Sequence, residues 1–373
     1  MEARYEKTGI IVCLNVGSSS LKFSLYGLSF AGLTEIGSGT IGSRGSIPQL
    51  SFEYVYQSKK PLKKVPIAGP ITSSIRELAS SEGEIIAIGH RLVHGGLSIL
   101  DHLVLSKTAI ATLRRAVPFA PLHLPPSLDL IDECFETFPG TPQVACLDTA
   151  FHRKLPAVAA TLPLPTQIRD SGIRRFGFHG LSCESVLERL GNAPPRRLVV
   201  AHLGGGCSVT AILNGQSVDT SMGLTPMGGV VMSQRTGDLD PGIIFYLLRE
   251  QRYDLKTLED LFEHRAGLAG ISKSDGDLRD LQGASDSGDL DAALALDIFG
   301  HSVAKQIAGM CVALGGIDVL VFTGGVGENA GEVRERVTQL IGTLGLSPSI
   351  LVLAARENER IAFHVADLMQ LYR

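Results

Sequence analysis

The chain has 373 residues, of which 44% are hydrophobic and 19% charged, with a formal net charge of −4. That length exceeds what one hydrophobic core usually organises, so two domains are expected, and the apolar content suffices for two cores and excludes a disordered chain. The mild acidity and the lack of a long Lys/Arg block argue against nucleic acid and anionic membranes as partners, and no run of 18 apolar residues marks a membrane span.

The N-terminal stretch MEARYEKTGIIVCLNV is charged and then runs into a strand, without a signal-peptide pattern. The six cysteines, Cys13, Cys134, Cys146, Cys183, Cys207 and Cys311, form no C-x-x-C pair. Several lie in or beside apolar runs, which suits buried free thiols in a reducing compartment, and the chain reads as cytoplasmic.

Gly9–Val16 is a continuous apolar run of the kind that a fully buried strand carries, residues 17–20 (GSSS) are a polar turn, and residues 21–26 read as a second strand. The basic cluster Lys59, Lys60, Lys63 and Lys64 reads as a solvated turn. The run 85–88 is a strand whose exit carries His90, Arg91 and His94. Two histidines without a third ligand do not make a zinc site, whereas an arginine at a strand end can grip a carboxylate or phosphate with two parallel N–H groups. Further expected strands are Gln143–Leu147, ending at Asp148, then Arg197–Leu203, Cys207–Leu213 and Gln216–Thr220, and the run 319–322. Helices are expected near 125–138, 240–251, 255–262, Leu290–Leu314, 331–341 and 357–371, with Asp240 before Pro241 as a helix start. Strand and helix signals mix in each half, which indicates an α/β protein.

The strand–turn–strand unit at residues 9–26 returns at 197–213, with Asn15 aligned to His202 and Gly17 to Gly204. A weak repeat whose copies lie about half a chain apart suggests two similar domains. Residues 17–20 with Lys22, residues 204–206 (GGG) and residues 323–329 (TGGVGEN) are three small-residue turns. Each alone is an ordinary turn. Together they suit an ATPase that cradles phosphate oxygens on backbone N–H groups. The pattern is not the G-x-x-x-x-G-K-[ST] loop of P-loop enzymes. His123 in the rigid run PLHLPP, His179 in FGFHG and Arg235 in MSQRTGDLDP are further polar residues in apolar or turn settings, and Arg235 is left without a structural task.

Residues 15–22 (NVGSSSLK) resemble the N-terminal signature of the acetate kinase family, and residues 90–96, 121–126, 148–152, 178–180, 225–241, 277–281 and 322–329 resemble its further blocks in family order. The resemblance spans residues 10 to about 362. It implies two duplicated α/β domains of the actin-like, ribonuclease H-like ATPase kind, 1–148 plus 360–373 and 149–359, with the active site in the cleft between them. It also implies a homodimer and reversible phosphoryl transfer between ATP and acetate, giving ADP and acetyl phosphate, with propionate or butyrate as the alternative acceptor.

By position, the resemblance assigns Asn15 and Glu357 to Mg2+, with Mn2+ as a substitute. Lys22, Ser18, His202, Leu203, Gly204, Gly205, Gly206, Asp277, Leu278, Arg279, Gly325, Val326, Gly327, Glu328 and Asn329 fall to ATP. Arg91, Val93, Leu122, His123, Phe178 and Pro226 fall to the acyl substrate, and Asp148, His179, Arg235 and Arg91 to catalysis. An ionised carboxylate needs no general base, so Asp148 is expected to orient another group. Departures from the family pattern are a shorter chain, Gly205 for Asn, Gly228 for Glu, Leu124 for Asn, Cys183 for His, and RENE at 356–359 for TNEE.

Overall fold

The computed structural model describes residues 9–17, 20–30, 32–42, 48–55, 60–67 and 69–371. They form two compact units, one running to Ala150 and resuming at Arg356, the other from Phe151 to Ala355. The chain returns to the first unit earlier than the expected residue 360, so Glu357 belongs there and not to the second. The reason is non-local: Glu357 bonds to Asn15.

The first unit is built on an eight-stranded sheet. In chain order its strands are β1 Gly9–Val16, β2 Ser20–Ser29, β3 Gly32–Gly42, β4 Gln49–Tyr54, β5 Leu62–Pro66, β6 Ile85–Leu92, β7 Leu103–Val104 and β8 Gln143–Leu147, arranged β5-β4-β3-β2-β1-β6-β8-β7. β1 lies inside, antiparallel to β2 and parallel to β6. Both of its faces are covered, which is why it reads as an unbroken apolar run. One face packs Ile10, Val12 and Leu14 against Ile75 and Leu78 of the helix Ile71–Ser80 and Leu130 and Cys134 of the helix Leu124–Thr137. The C-terminal helix Glu357–Leu368 covers the other, so close that a side-chain carbon at Gly89 would fall 2.4 Å from Ile361 and 2.7 Å from Val365.

Three features differ from expectation. β2 extends to Ser29 and is followed by β3–β5; β3 is glycine-rich and β5 carries two lysines and a proline, so both have little strand signal of their own, whereas β4 (QLSFEY) alternates as a strand does. β6 continues through Leu92, so His90 and Arg91 lie within the strand. Lys63 and Lys64 sit exposed on β5 at the sheet edge, where lysine discourages pairing with another chain; Lys59 lies outside the described residues, as does Ser18.

The second unit holds β9 Arg197–Leu203, β10 Cys207–Leu213, β11 Gln216–Thr220, β12 Val319–Thr323 and β13 Ser349–Val352, in the order β11-β10-β9-β12-β13. β9 pairs antiparallel with β10 and parallel with β12, as β1 does with β2 and β6. The run β3-β2-β1-β6-β8 of the first sheet therefore has the same order and directions as the whole second sheet, and the fold is the duplicated α/β architecture of actin-like ATPases that the family resemblance implied. The helix Gly180–Leu190 packs Cys183 and Val186 on Leu198, Val200 and Val321. The helix Leu290–Leu314 begins with the Asp289 carboxylate accepting two backbone N–H groups and ends at Gly315 with φ +65°, and it buries Phe299, Val303, Ile307 and Met310. Residues 324–329, expected as a glycine turn, form a short helix running straight out of β12. The segment expected as one helix over 255–262 ends at Asp260 and continues as a wide π turn, Leu261–Arg265. All six cysteines are free and buried. Among the described residues no helix is long and apolar enough to cross a membrane.

Candidate active site

In open α/β sheets, ligands gather beyond the carboxyl ends of the parallel strands. In the first unit those ends carry Asn15 on β1, Arg91 on β6 and Asp148 after β8, while Glu357 opens the C-terminal helix. Arg91 donates from Nε to both Asp148 oxygens at 3.0 and 3.1 Å and from Nη2 to Oδ2 at 2.5 Å. Its Nη1 donates to Asn15 Oδ1 at 3.0 Å, and Asn15 Nδ2 donates to Glu357 Oε2 at 2.9 Å. A guanidinium has five N–H groups, so this arrangement leaves Arg91 two for a ligand. Burial works against both charges of the pair. At Arg91 the Asp148 and Glu357 carboxylates more than compensate and keep the guanidinium protonated; at Asp148 burial pushes the carboxyl up while Arg91 pulls it back. Asp148 is fully buried, and its N–H is tied to Leu92 O at 2.9 Å. Two carboxylates and one amide oxygen around a single guanidinium make an oxygen-rich, net negative cluster, a donor set that fits a hard divalent cation.

Lys22 lies opposite Asn15 on β2, exposed. Val93 is buried just past β6, Leu122 is exposed, and His123 sits half-buried before the helix Leu124–Thr137. His90 and His94 do not share a ligand: His90 Nε2 bonds Gln143 Oε1 at 2.7 Å, and burial pushes its ring down to about 4, whereas His94 Nδ1 accepts the Gly96 N–H at 2.8 Å.

In the second unit the glycine loop 204–206 joins β9 to β10. A side-chain carbon at Gly206 would lie 3.2 Å from His179 Nε2 and 3.8 Å from Arg235 Nη1, and one at Gly204 would lie 3.8 Å from Gly325 N and 3.9 Å from His202 Nε2. The loop, both histidines, Arg235 and the start of the helix Gly324–Asn329 thus converge. His179 precedes the helix Gly180–Leu190 in a left-handed conformation, φ 57° and ψ 31°. Its ring stacks on His202 with centroids 4.1 Å apart. His179 Nδ1 is hydrogen-bonded to Ser208 Oγ at 3.0 Å, and His202 Nδ1 to Ser182 Oγ at 2.8 Å.

Arg235 is largely withdrawn from solvent. Burial lowers its pKa, the Glu263 carboxylate opposes that, and Nη1 donates to Pro226 O at 3.3 Å. Its loop is clamped from behind. Leu268 N donates to Met232 O at 3.0 Å, and Gly267, at φ +61°, packs so tightly that a side-chain carbon would lie 2.7 Å from Arg235 O. Asp240 caps the helix Pro241–Arg249 as expected.

Phe178 and Pro226 are buried. Glu328 braces backbone, its Oε1 accepting from Gly324 N at 3.0 Å and Ala355 N at 2.9 Å. Asn329 donates to Gly325 O at 2.8 Å. Asp277 caps the helix Leu278–Asp286 and pairs with Arg279. Sequence reasoning missed Ser182, Ser208, Gln143 and Glu263. Of these only Ser208 had a visible signal: it lies directly across the hairpin from His202.

A sequence model of the Acetokinase family matches residues 10–365. An acetate kinase of Rhodopseudomonas palustris is 37% identical over 351 residues, covering 91% of this chain and 87% of that protein. The crystal structure of a propionate kinase from Francisella tularensis superposes with a TM-score of 0.85 at 31% identity, covering 97% of this chain and 100% of that one. That of Porphyromonas gingivalis acetate kinase gives 0.81 at 30% identity over the same shares.

Proposed function

The chain belongs to the acetokinase family, and on that premise we propose that it transfers the γ-phosphoryl group of ATP reversibly to acetate, giving ADP and acetyl phosphate. An acetate oxygen forms the new bond to phosphorus as the bond to the β–γ bridging oxygen breaks, and ADP leaves with those electrons. The observation that carries the reading is the Arg91 lock: Asp148 and Asn15 hold the guanidinium with three of its N–H groups and leave two to grip acetate or the phosphoryl group.

Because the acceptor is already ionised, Asp148 positions Arg91 and removes no proton. His179 and Arg235 neutralise charge on the equatorial oxygens of the transferred group, and the loop 204–206 with the helix Gly324–Asn329 offers backbone N–H groups to the nucleotide phosphates. Glu357, with Asn15, would hold Mg2+, which would supply positive charge to offset that of the phosphates. Val93 and Leu122 of the first unit and Phe178 and Pro226 of the second are the residues that the family resemblance assigns to the acyl methyl. The likeness to a propionate kinase supports propionate as a second acceptor, since one methylene is worth only about 1–3 kcal/mol in an apolar pocket.

Six free, buried cysteines suit a reducing cytoplasm. A homodimer is supported by the helix Pro241–Arg249, in which every residue except the half-buried Leu247 is exposed although Ile243, Ile244, Phe245, Tyr246 and Leu248 are apolar or aromatic; such a stripe calls for a partner surface. The test of the reaction is incubation with Mg·ATP and acetate, propionate or butyrate, trapping acyl phosphate with hydroxylamine. Hydroxamate from acetate is expected, and none from any short acid would overturn the proposal.

A further inference from the structure

Ser208 and Ser182 do something that the reading above does not assign. His179 opens the helix that carries Ser182; Ser182 holds His202; His202 lies opposite Ser208 in the β9–β10 register; Ser208 holds His179. The two stacked rings and two buried hydroxyls form a closed circuit in which each serine occupies an Nδ1. The Nε2 atoms of both rings are the ones nearest the loop 204–206.

Which ring nitrogen of a neutral histidine carries the proton is set by the bond that the other makes. A carbonyl or carboxylate at Nδ1 can only accept, so it draws the proton there and leaves Nε2 as a lone pair, which repels phosphate oxygens. A hydroxyl can donate to Nδ1 of the neutral ring and, after rotating, accept from it in the imidazolium, so, unlike a carbonyl, it permits a proton on Nε2 in both states. A third histidine of the same unit shows this arrangement resolved. His152 Nε2 faces the Phe178 carbonyl at 3.0 Å, which only accepts, so the proton is on Nε2 and Ser217 Oγ donates to Nδ1 at 2.8 Å.

We infer that Ser208 and Ser182 are positioning residues that hold His179 and His202 as Nε2–H tautomers, making a rim of two N–H donors for phosphoryl oxygens beside the glycine loop. The inference rests on the kinase reading for its substrate. For the serine holding His179 the kinetic effect falls on kcat, because a donor aimed at charge that develops during transfer matters most in the transition state.

The test uses full-length protein labelled with 15N-histidine, without nucleotide, so it is independent of whether acyl phosphate is made. Long-range 1H–15N spectra, with the His179 signals identified from their loss in His179→Gln, should show neutral His179 protonated on Nε2; protonation on Nδ1 would overturn the inference. Ser208→Ala should mix the tautomers and lower kcat by roughly 10- to 100-fold, the usual effect of removing a hydrogen-bond partner behind a site group, with KM for ATP and acetate within about threefold. Ser208→Thr, which keeps the hydroxyl, should restore both tautomer and rate. A Ser208→Ala enzyme with wild-type kcat, or a loss that Thr does not repair in a folded protein, would also overturn it. If the Ala variant does not fold, the wild-type spectrum and the Thr variant still decide.

Discussion

Replacing Asp148 by Asn keeps the side chain's shape and removes its charge. In the wild type both carboxylate oxygens accept from Arg91, through Nε at 3.0 and 3.1 Å and Nη2 at 2.5 Å. The amide has one acceptor, and its NH2 group must face a guanidinium N–H. Breaking a buried pair costs about 3–5 kcal/mol when the remaining charge is stranded. Arg91 keeps Asn15 at 3.0 Å and Glu357 at 4.0 Å, so about 2–3 kcal/mol is expected, at the scale of one or two charged hydrogen bonds. For a unit of this size that lowers the melting temperature by roughly 5–10 °C, read by calorimetry. A guanidinium displaced by about 1 Å costs on the order of 100-fold in rate, so kcat should fall by about that factor with KM for acetate raised. The pH–rate profile, measured by hydroxamate formation, should keep its shape. The loss of an acidic or basic limb would refute orientation in favour of proton transfer, and a cooler melting point with unchanged kinetics would refute any role of Asp148 in the reaction.

Three further outcomes follow from particular contacts. His90 and His152 are pushed by burial from the ordinary 6.5 to about 4, so above pH 6.5 both states are neutral, and as pH falls from 6.5 toward 4 only the unfolded chain takes up protons. Each ring should therefore subtract up to about 3 kcal/mol of stability across that window, and a urea midpoint that stays flat between pH 6.5 and 5 would contradict it. Gly206→Ala puts a methyl 3.2 Å from His179 Nε2, on a ring held by Ser208 and His202, and should cut kcat at least tenfold, whereas Gly205→Ala, whose methyl meets nothing within 4 Å, should change it less than about twofold in the same steady-state assay. Phe245→Asp on the exposed apolar helix should halve the mass seen by sedimentation without unfolding either unit; an unchanged mass would remove that helix from the dimer interface.

What could be read from the chain alone followed the physics of burial. β1, β8, β9 and β10 are covered on both faces and announce themselves as apolar runs. β3 is half-exposed and takes its register from β2, and β5 is mostly exposed and takes its register from β4, so residues such as Gly37, Gly39 and Lys63 carried no strand signal. The end of β6 looked like a loop because His90 and Arg91 are polar; they are tolerated inside because Gln143 and Asp148 answer them. The residue types of the candidate site were legible through the family resemblance, but their partners were not. Arg91 and Asp148 are 57 residues apart, Asn15 and Glu357 342, and no periodicity links such positions. Glu328, expected on the nucleotide, also braces the strand-to-helix junction, a task visible only once β12 and residue 355 are neighbours.

The second unit is one uninterrupted stretch, while the first is completed by the helix Glu357–Leu368, which follows the second unit along the chain. During synthesis, the second unit can therefore fold as soon as residue 355 is available, but the first must wait, with Gly89 and one face of β1 uncovered, until residues 357–368 have left the ribosome. The Asn15–Glu357 bond spans a separation of 342 residues and so forms only after the whole second unit has been made. A chain cut before residue 357 would keep every residue of the glycine loop and both stacked histidines, yet lack the carboxylate that completes the Arg91 cluster. A nascent or clipped copy could then retain the nucleotide-facing loop while being unable to phosphorylate anything.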